Sequence, residues 1–140
     1  MAVAARHWNG PLARTALIPV SNLGGAFGIA LCASGVAFAM WARRTLGANW
    51  SAEPSIKVGH QLVQTGPYRW VRHPIYSGLV LALLGTFIGT GRVRTAALLG
   101  FAVLVIVLKI RIEESLMMRQ FPDEYPDYRK RTQALVPFLF

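Results

Sequence analysis

Three apolar runs, residues 22–42, 74–91 and 95–108, contain no Asp, Glu, Lys or Arg. About 20 such residues make roughly 30 Å of helix, the thickness of a hydrocarbon core. The first run has that length and the second is slightly short. The third attains it by extending to residue 110, with Lys109 snorkelling to the interface. Strands are excluded, because the runs lack period-2 alternation and are too long. Arg92-Val93-Arg94 makes a tight turn, so the last two runs form a helical hairpin. The fold class expected is all-α: an integral membrane bundle of about three transmembrane helices, ending in that hairpin and a cytoplasmic amphipathic tail. Residues 1–21 are an N-terminal segment. Residues 22–140 are one membrane domain, with spans at about 22–42, 74–91 and 95–110 and the tail at 111–140.

Composition supports a membrane class. Only 15% of the 140 residues are charged, against about a quarter in soluble domains. The net charge of +9 does not indicate nucleic acid, since the basic residues flank apolar runs and do not line one soluble face. Cys32 is the one cysteine, which excludes a disulfide framework and a Cys-based zinc site. The first run reads as a retained helix, closed by Trp41-Ala42-Arg43-Arg44 like a stop-transfer sequence, and not as a cleaved signal. Residues 16–20, broken by Pro19, read as an interfacial stub. Gly24/Gly28 and Gly85/Gly89 recur at the spacing that lets helices approach closely in lipid.

Charge sets the orientation. Arg43, Arg44, Lys57, Arg69 and Arg72 lie between the first two spans, and Lys109, Arg111, Arg119, Arg129, Lys130 and Arg131 lie in the tail region. These eleven of fifteen basic residues share one side, which the positive-inside rule makes cytoplasmic.

The same side holds the chemistry. The hairpin brings Arg72-His73-Pro74-Ile75-Tyr76 beside residues 109–114. Thr65-Gly66-Pro67-Tyr68 signals a turn, and Pro74 suits the first position of a helix. That helix start favours a carboxylate or phosphate, and His73 and Tyr76 share a face. Arg72 reads as a headgroup contact. Glu113 and Glu114 are two of only six acids. Carboxylates beside hydrocarbon are costly and tend to be paired or functional. The bland alternative pairs Lys109 with Glu113 and Arg111 with Glu114 on the helix surface. Phe121, Tyr125 and Tyr128 alternate with charges in an amphipathic segment broken at Pro122 and Pro126. No phosphate loop, metal-ligand cluster or Ser-His-Asp arrangement is present.

The stretch from His60-Gln61-Leu62-Val63 through Tyr68-Arg69-Trp70 to Arg72-His73-Pro74-Ile75-Tyr76-Ser77-Gly78, with Glu113-Glu114-Ser115-Leu116 and Leu135-Val136-Pro137 downstream, resembles the isoprenylcysteine carboxyl methyltransferase family. Phospholipid methyltransferases share part of this pattern. The resemblance implies an integral-membrane methyltransferase using S-adenosylmethionine. It places cofactor contacts at His60, Gln61, Leu62, Val63, Tyr68, His73, Pro74, Ile75, Tyr76 and Glu113, with a looser match at Glu53. A family arginine that meets the acceptor falls near Lys109, where the charge is kept but the planar fork is lost. The implied partners are the bilayer and an apolar or lipid-linked methyl acceptor, with no nucleic acid and no metal. Three short spans also invite a homo-oligomer. The activity expected first is carboxylate methylation at the membrane–cytosol interface. The alternatives are a phospholipid or small-molecule N- or O-methyltransferase, or a non-catalytic membrane subunit of the same fold.

Overall fold

Helix boundaries follow local chemistry. In the computed structural model, which describes residues 15–47 and 62–136, helix α1 spans Asn22–Leu46. Its start is capped by Ser21, whose Oγ accepts from the Gly24 N–H at 3.1 Å. It runs past the expected limit of 42, so Arg43 and Arg44 occupy its last turn, where the helix dipole favours cations. Gly47 then ends it at φ 53°, a conformation that glycine adopts without steric cost.

A 3-10 turn at Gly66–Arg69 leads into α2, Pro74–Thr90. Gly91, left-handed at φ 60°, closes α2 by donating to Phe87 O at 2.7 Å. The connection to α3 is shorter than expected. Val93 and Arg94 already belong to α3 (Val93–Gln120), leaving only Gly91 and Arg92 as linker. The N-terminal stub completes this turn: Leu17 and Ile18 donate to Gly91 O at 2.6 and 3.2 Å, and Val93 donates to Thr15 O at 3.2 Å.

Both α1 and α3 are long and apolar enough to cross a membrane, while the 17 residues of α2 make a shorter apolar helix. α3 has 28 residues, about 42 Å at 1.5 Å per residue. Its last turns therefore project beyond a roughly 30 Å core, carrying Glu113 and Glu114 with them. Helices α1 and α2 meet through glycine. A Cβ on Gly28 would lie 2.5 Å from Gly89 N, and one on Gly35 would lie 2.5 Å from Ala82 N. Gly24 is outside this seam, its nearest neighbours being Ser21 and Val20. The contact residues fall seven apart, at Gly28/Gly35 and Gly78/Gly85, a two-turn repeat on one face.

Large apolar side chains such as Leu23 (81% exposed), Ile29 (73%) and Phe101 (66%) face outward along the spans, as lipid-facing residues do. The packed core sits at one end, where Tyr68, Val71, Tyr125 and Tyr128 are buried together with Pro67 and Pro74. Helix α4 (Tyr125–Arg131) builds half of that core. Pro126 opens α4, standing in its first turn where a missing N–H costs nothing. The tail is amphipathic, with tyrosines turned into the protein and Arg129 and Lys130 turned out.

Candidate active site

The residue just ahead of α2 is biased away from helix, because Pro74 disfavours the α region at His73. His73 is accordingly non-helical, at φ −123° and ψ 58°. Its segment pairs with the tail: Arg72 N–H donates to Gln133 O at 2.8 Å, His73 N–H to Ala134 O at 3.0 Å, and Gln133 N–H to Trp70 O at 3.3 Å. The Ser77 hydroxyl donates to Leu135 O. This clamp fixes the start of α2 against the end of the chain's described part.

Two acids from α3 reach across to that start. Glu113 Oε1 accepts from the Tyr76 hydroxyl at 2.5 Å, and Oε2 lies 3.4 Å from His73 Nδ1. Glu114 Oε1 accepts from Arg72 Nε at 2.8 Å and lies 3.6 Å from His73 Nε2, an ion-pair distance beyond hydrogen-bond reach. The imidazole, 9% exposed, is thus held between two carboxylates and stacks on the Tyr76 ring at 5.8 Å. Burial alone would lower the His73 pKa. Hydrogen bonding and charge from Glu113 and Glu114 outweigh it and hold the pKa above the ordinary 6.5.

The surface pairs Lys109–Glu113 and Arg111–Glu114 do not form among the described residues, because both carboxylates are taken by partners on the facing segment. Lys109 stays half-buried one turn before Glu113 and contributes an attractive charge to it. Arg111 is exposed.

Arg72 is not a headgroup contact. Its side chain is 8% exposed, and its guanidinium also donates to Arg129 O at 3.0 Å and to Thr132 O. The sequence reads Arg72 as a headgroup contact and Glu114 as a paired or functional acid, without assigning either to the site, and carries no sign of the tail carbonyls. The available signal was the second acid of the pair, standing in a chain poor in acids.

The remaining expected contacts divide. Tyr68 is buried; its carbonyl accepts from the Tyr128 hydroxyl at 2.7 Å, and its phenol is pushed to a higher pKa by burial first. Leu62 and Val63 are half-buried in the approach to the turn, Pro74 is buried and Ile75 half-buried. His60, Gln61 and Glu53 lie outside the described residues. The structure therefore joins Tyr76, His73 and Glu113 in direct contact, places Tyr68 within electrostatic reach of Glu113, and leaves Lys109 beside them.

Comparison with known proteins agrees with this architecture. A solved eukaryotic intramembrane Ras methyltransferase, an isoprenylcysteine carboxyl methyltransferase, superposes with a TM-score of 0.76 at 28% identity, over 83% of this chain and 43% of that one. The nickel-cobalt-cadmium resistance protein NccN of Alcaligenes xylosoxydans xylosoxydans is 38% identical over 97 residues, 68% of this chain and 45% of that protein. A methanethiol S-methyltransferase of Mycobacterium tuberculosis is 32% identical over 104 residues, 72% and 40% of the two chains. A protein-S-isoprenylcysteine O-methyltransferase of Saccharomyces cerevisiae is 31% identical over 86 residues, 57% and 34%. The chain thus spans less than half the length of these relatives. The model of the phospholipid methyltransferase family matches residues 23–124, well over half of the sequence. This all-α integral membrane protein belongs to the phospholipid methyltransferase family of membrane methyltransferases.

Proposed function

We propose that the chain transfers a methyl group from S-adenosylmethionine, at the cytoplasmic face of the membrane, to an apolar acceptor bearing an anionic nucleophile. A carboxylate is the first choice, as in isoprenylcysteine O-methylation. The observation that supports this reading best is the imidazole held between two carboxylates. The two carboxylates shift His73 toward its protonated form, which cannot take up a proton. Glu113 and Glu114 already accept from Tyr76, His73 and Arg72, so they are weak bases too. An acceptor served by such a cluster must be nucleophilic as it arrives. A carboxylate meets that condition and an ammonium headgroup does not.

The residues fit the cofactor's chemistry. Glu113 is 22% exposed, and its oxygens keep lone pairs for ribose hydroxyls or an ammonium. The N–H groups of Ile75 and Tyr76, in the first turn of α2, have no acceptor within the helix and suit a carboxylate. Half-buried Leu62 and Val63 supply apolar surface, with His60 and Gln61 preceding them in sequence. When bound, the cofactor supplies a methyl group activated by a sulfonium. The chain's own residues orient the two reactants and exclude water, which is most of what an in-line displacement needs. Lys109, beside Glu113 at the membrane boundary, holds the acceptor's charge. The acceptor arrives laterally from the bilayer.

A thiolate acceptor is the second reading, favoured by the methanethiol S-methyltransferases among the relatives. The test is incubation with methyl-labelled cofactor and three acceptors: a prenylated cysteine, an alkyl thiol and an amino phospholipid. The proposal expects label on the prenylated cysteine that mild base releases, as an ester does. Base-stable label on the thiol alone selects the second reading, and label on the amino lipid alone overturns both.

A further inference from the structure

Glu113 and Glu114 are neighbours in sequence with different surroundings. Glu113 is the more open, at 22% exposure, and faces Tyr76 and one ring nitrogen of His73. Glu114 is 12% exposed and enclosed by Arg72 at 2.8 Å, Arg129 at 3.5 Å and the other ring nitrogen of His73 at 3.6 Å. Arg72 in turn is tied to the carbonyls of Arg129 and Thr132, which leaves its guanidinium committed to the protein. We infer that Glu114, backed by Arg72, is a positioning residue: it holds the His73 ring from Nε2, so that Nδ1 faces Glu113 and the outer side of Glu113 stays open for a ligand.

A ring with a carboxylate at ion-pair distance from each nitrogen, 3.4 and 3.6 Å, cannot rotate about its Cβ–Cγ bond without moving away from both charges. Tyr76 stacks on one face of the ring and removes further freedom. Nε2 is buried without a hydrogen-bond partner, so the Glu114 carboxylate at 3.6 Å is what balances the ring's charge on that side. Without it, nothing holds that edge of the ring, which is free to turn away from Glu113. Arg72 and Arg129 are then left facing no carboxylate. The groups that face the imidazole are therefore Glu113 and Glu114 from α3, Tyr76 from α2, and Arg72 and Arg129 behind Glu114.

This inference rests on the cofactor-binding reading of Glu113 for its consequence, but not for its test. The full chain, carrying ¹⁵N-labelled histidine in lipid nanodiscs, is titrated by NMR, and His73→Gln identifies the resonance among the three histidines. Glu114→Gln keeps the side chain's shape and loses its charge. The proton affinity of His73 is expected to fall at least about ten-fold, one pH unit, and Glu114→Asp is expected to restore part of it. Asp127→Asn, in an exposed pair with Lys130, is expected to change nothing. The dissociation constant for S-adenosylhomocysteine, measured on the same samples, is expected to rise several-fold in Glu114→Gln. An unmoved His73 titration in Glu114→Gln overturns the inference, as does a moved titration with unchanged affinity. If neither wild type nor variant binds the probe, the cofactor reading fails alone, and the titration still decides whether Glu114 holds the ring. Should Glu114→Gln not fold, Arg72→Lys loosens the same carboxylate and must shift the titration in the same direction, or the inference fails.

Discussion

His73 shows how one side chain acquires a chemical state from its neighbours. Its pKa is raised in the folded chain by the two carboxylates, against burial. The stabilisation it contributes is therefore fully present below the unfolded value of about 6.5 and is lost as pH rises through the folded value. Thermal melts from pH 6 to 9 should show wild type losing stability relative to His73→Gln over that window. A constant difference between the two would contradict a charged imidazole in the fold. Lys109 carries a second residue-scale prediction. It forms no ion pair with Glu113 among the described residues, and the role proposed for it is to meet the acceptor's charge. Lys109→Met should leave cofactor affinity unchanged and lower turnover or raise the acceptor KM. Lys109→Arg should retain or improve activity, because a guanidinium meets a carboxylate with two parallel hydrogen bonds. Steady-state kinetics on both variants checks this. Equal small losses in both parameters for Lys109→Met would mean that the lysine serves only the surface.

Among the elements, the α1–α2 seam is where a single atom decides stability. A Cβ on Gly35 would lie 2.5 Å from the backbone of Ala82, whereas one on Gly100 would meet nothing within 4 Å. Gly35→Ala should therefore cost about 1–3 kcal/mol by forcing the helices apart, and Gly100→Ala should gain up to about 1 kcal/mol from helix propensity. Thermal melts in one detergent compare the pair, and a common sign would contradict the packing described. The elements also show what can be read from residues alone. The spans are legible because hydrocarbon tolerates so few charges, and the hairpin follows because only a short basic link separates two of them. The seam is half legible: Gly85/Gly89 lie in it, but the repeat of seven at Gly28 and Gly35 is hidden among other small residues. The clamp over the site is not legible. It is made of backbone pairings of residues 70–73 with 133 and 134, and of arginine contacts to carbonyls, and neither leaves a side-chain pattern. Tyr125 and Tyr128 likewise suggest a membrane surface by their spacing, yet the clamp supplies a protein core for them to fill.

At the scale of the whole molecule, the spans expose their large apolar residues and the packing collects at one end. A membrane holds such a fold from the sides, and the site is built where the chain leaves it. That end should be cytoplasmic, since most of the basic residues lie there. In a Cys32→Ser background, a cysteine introduced at exposed Arg94 should react with an impermeant reagent in intact cells. One introduced at exposed Asp127 should react only after lysis. The reverse pattern would invert the orientation. The central claim is that the cluster of His73, Tyr76 and Glu113 binds the methyl donor, and calorimetry with S-adenosylmethionine on the solubilised chain tests it most directly. Losing a hydrogen bond to a charged group costs about 1.5–3 kcal/mol, so Glu113→Gln should weaken binding roughly ten-fold or more, with Lys109→Met binding as wild type does. Equal affinity in wild type and Glu113→Gln would contradict the account.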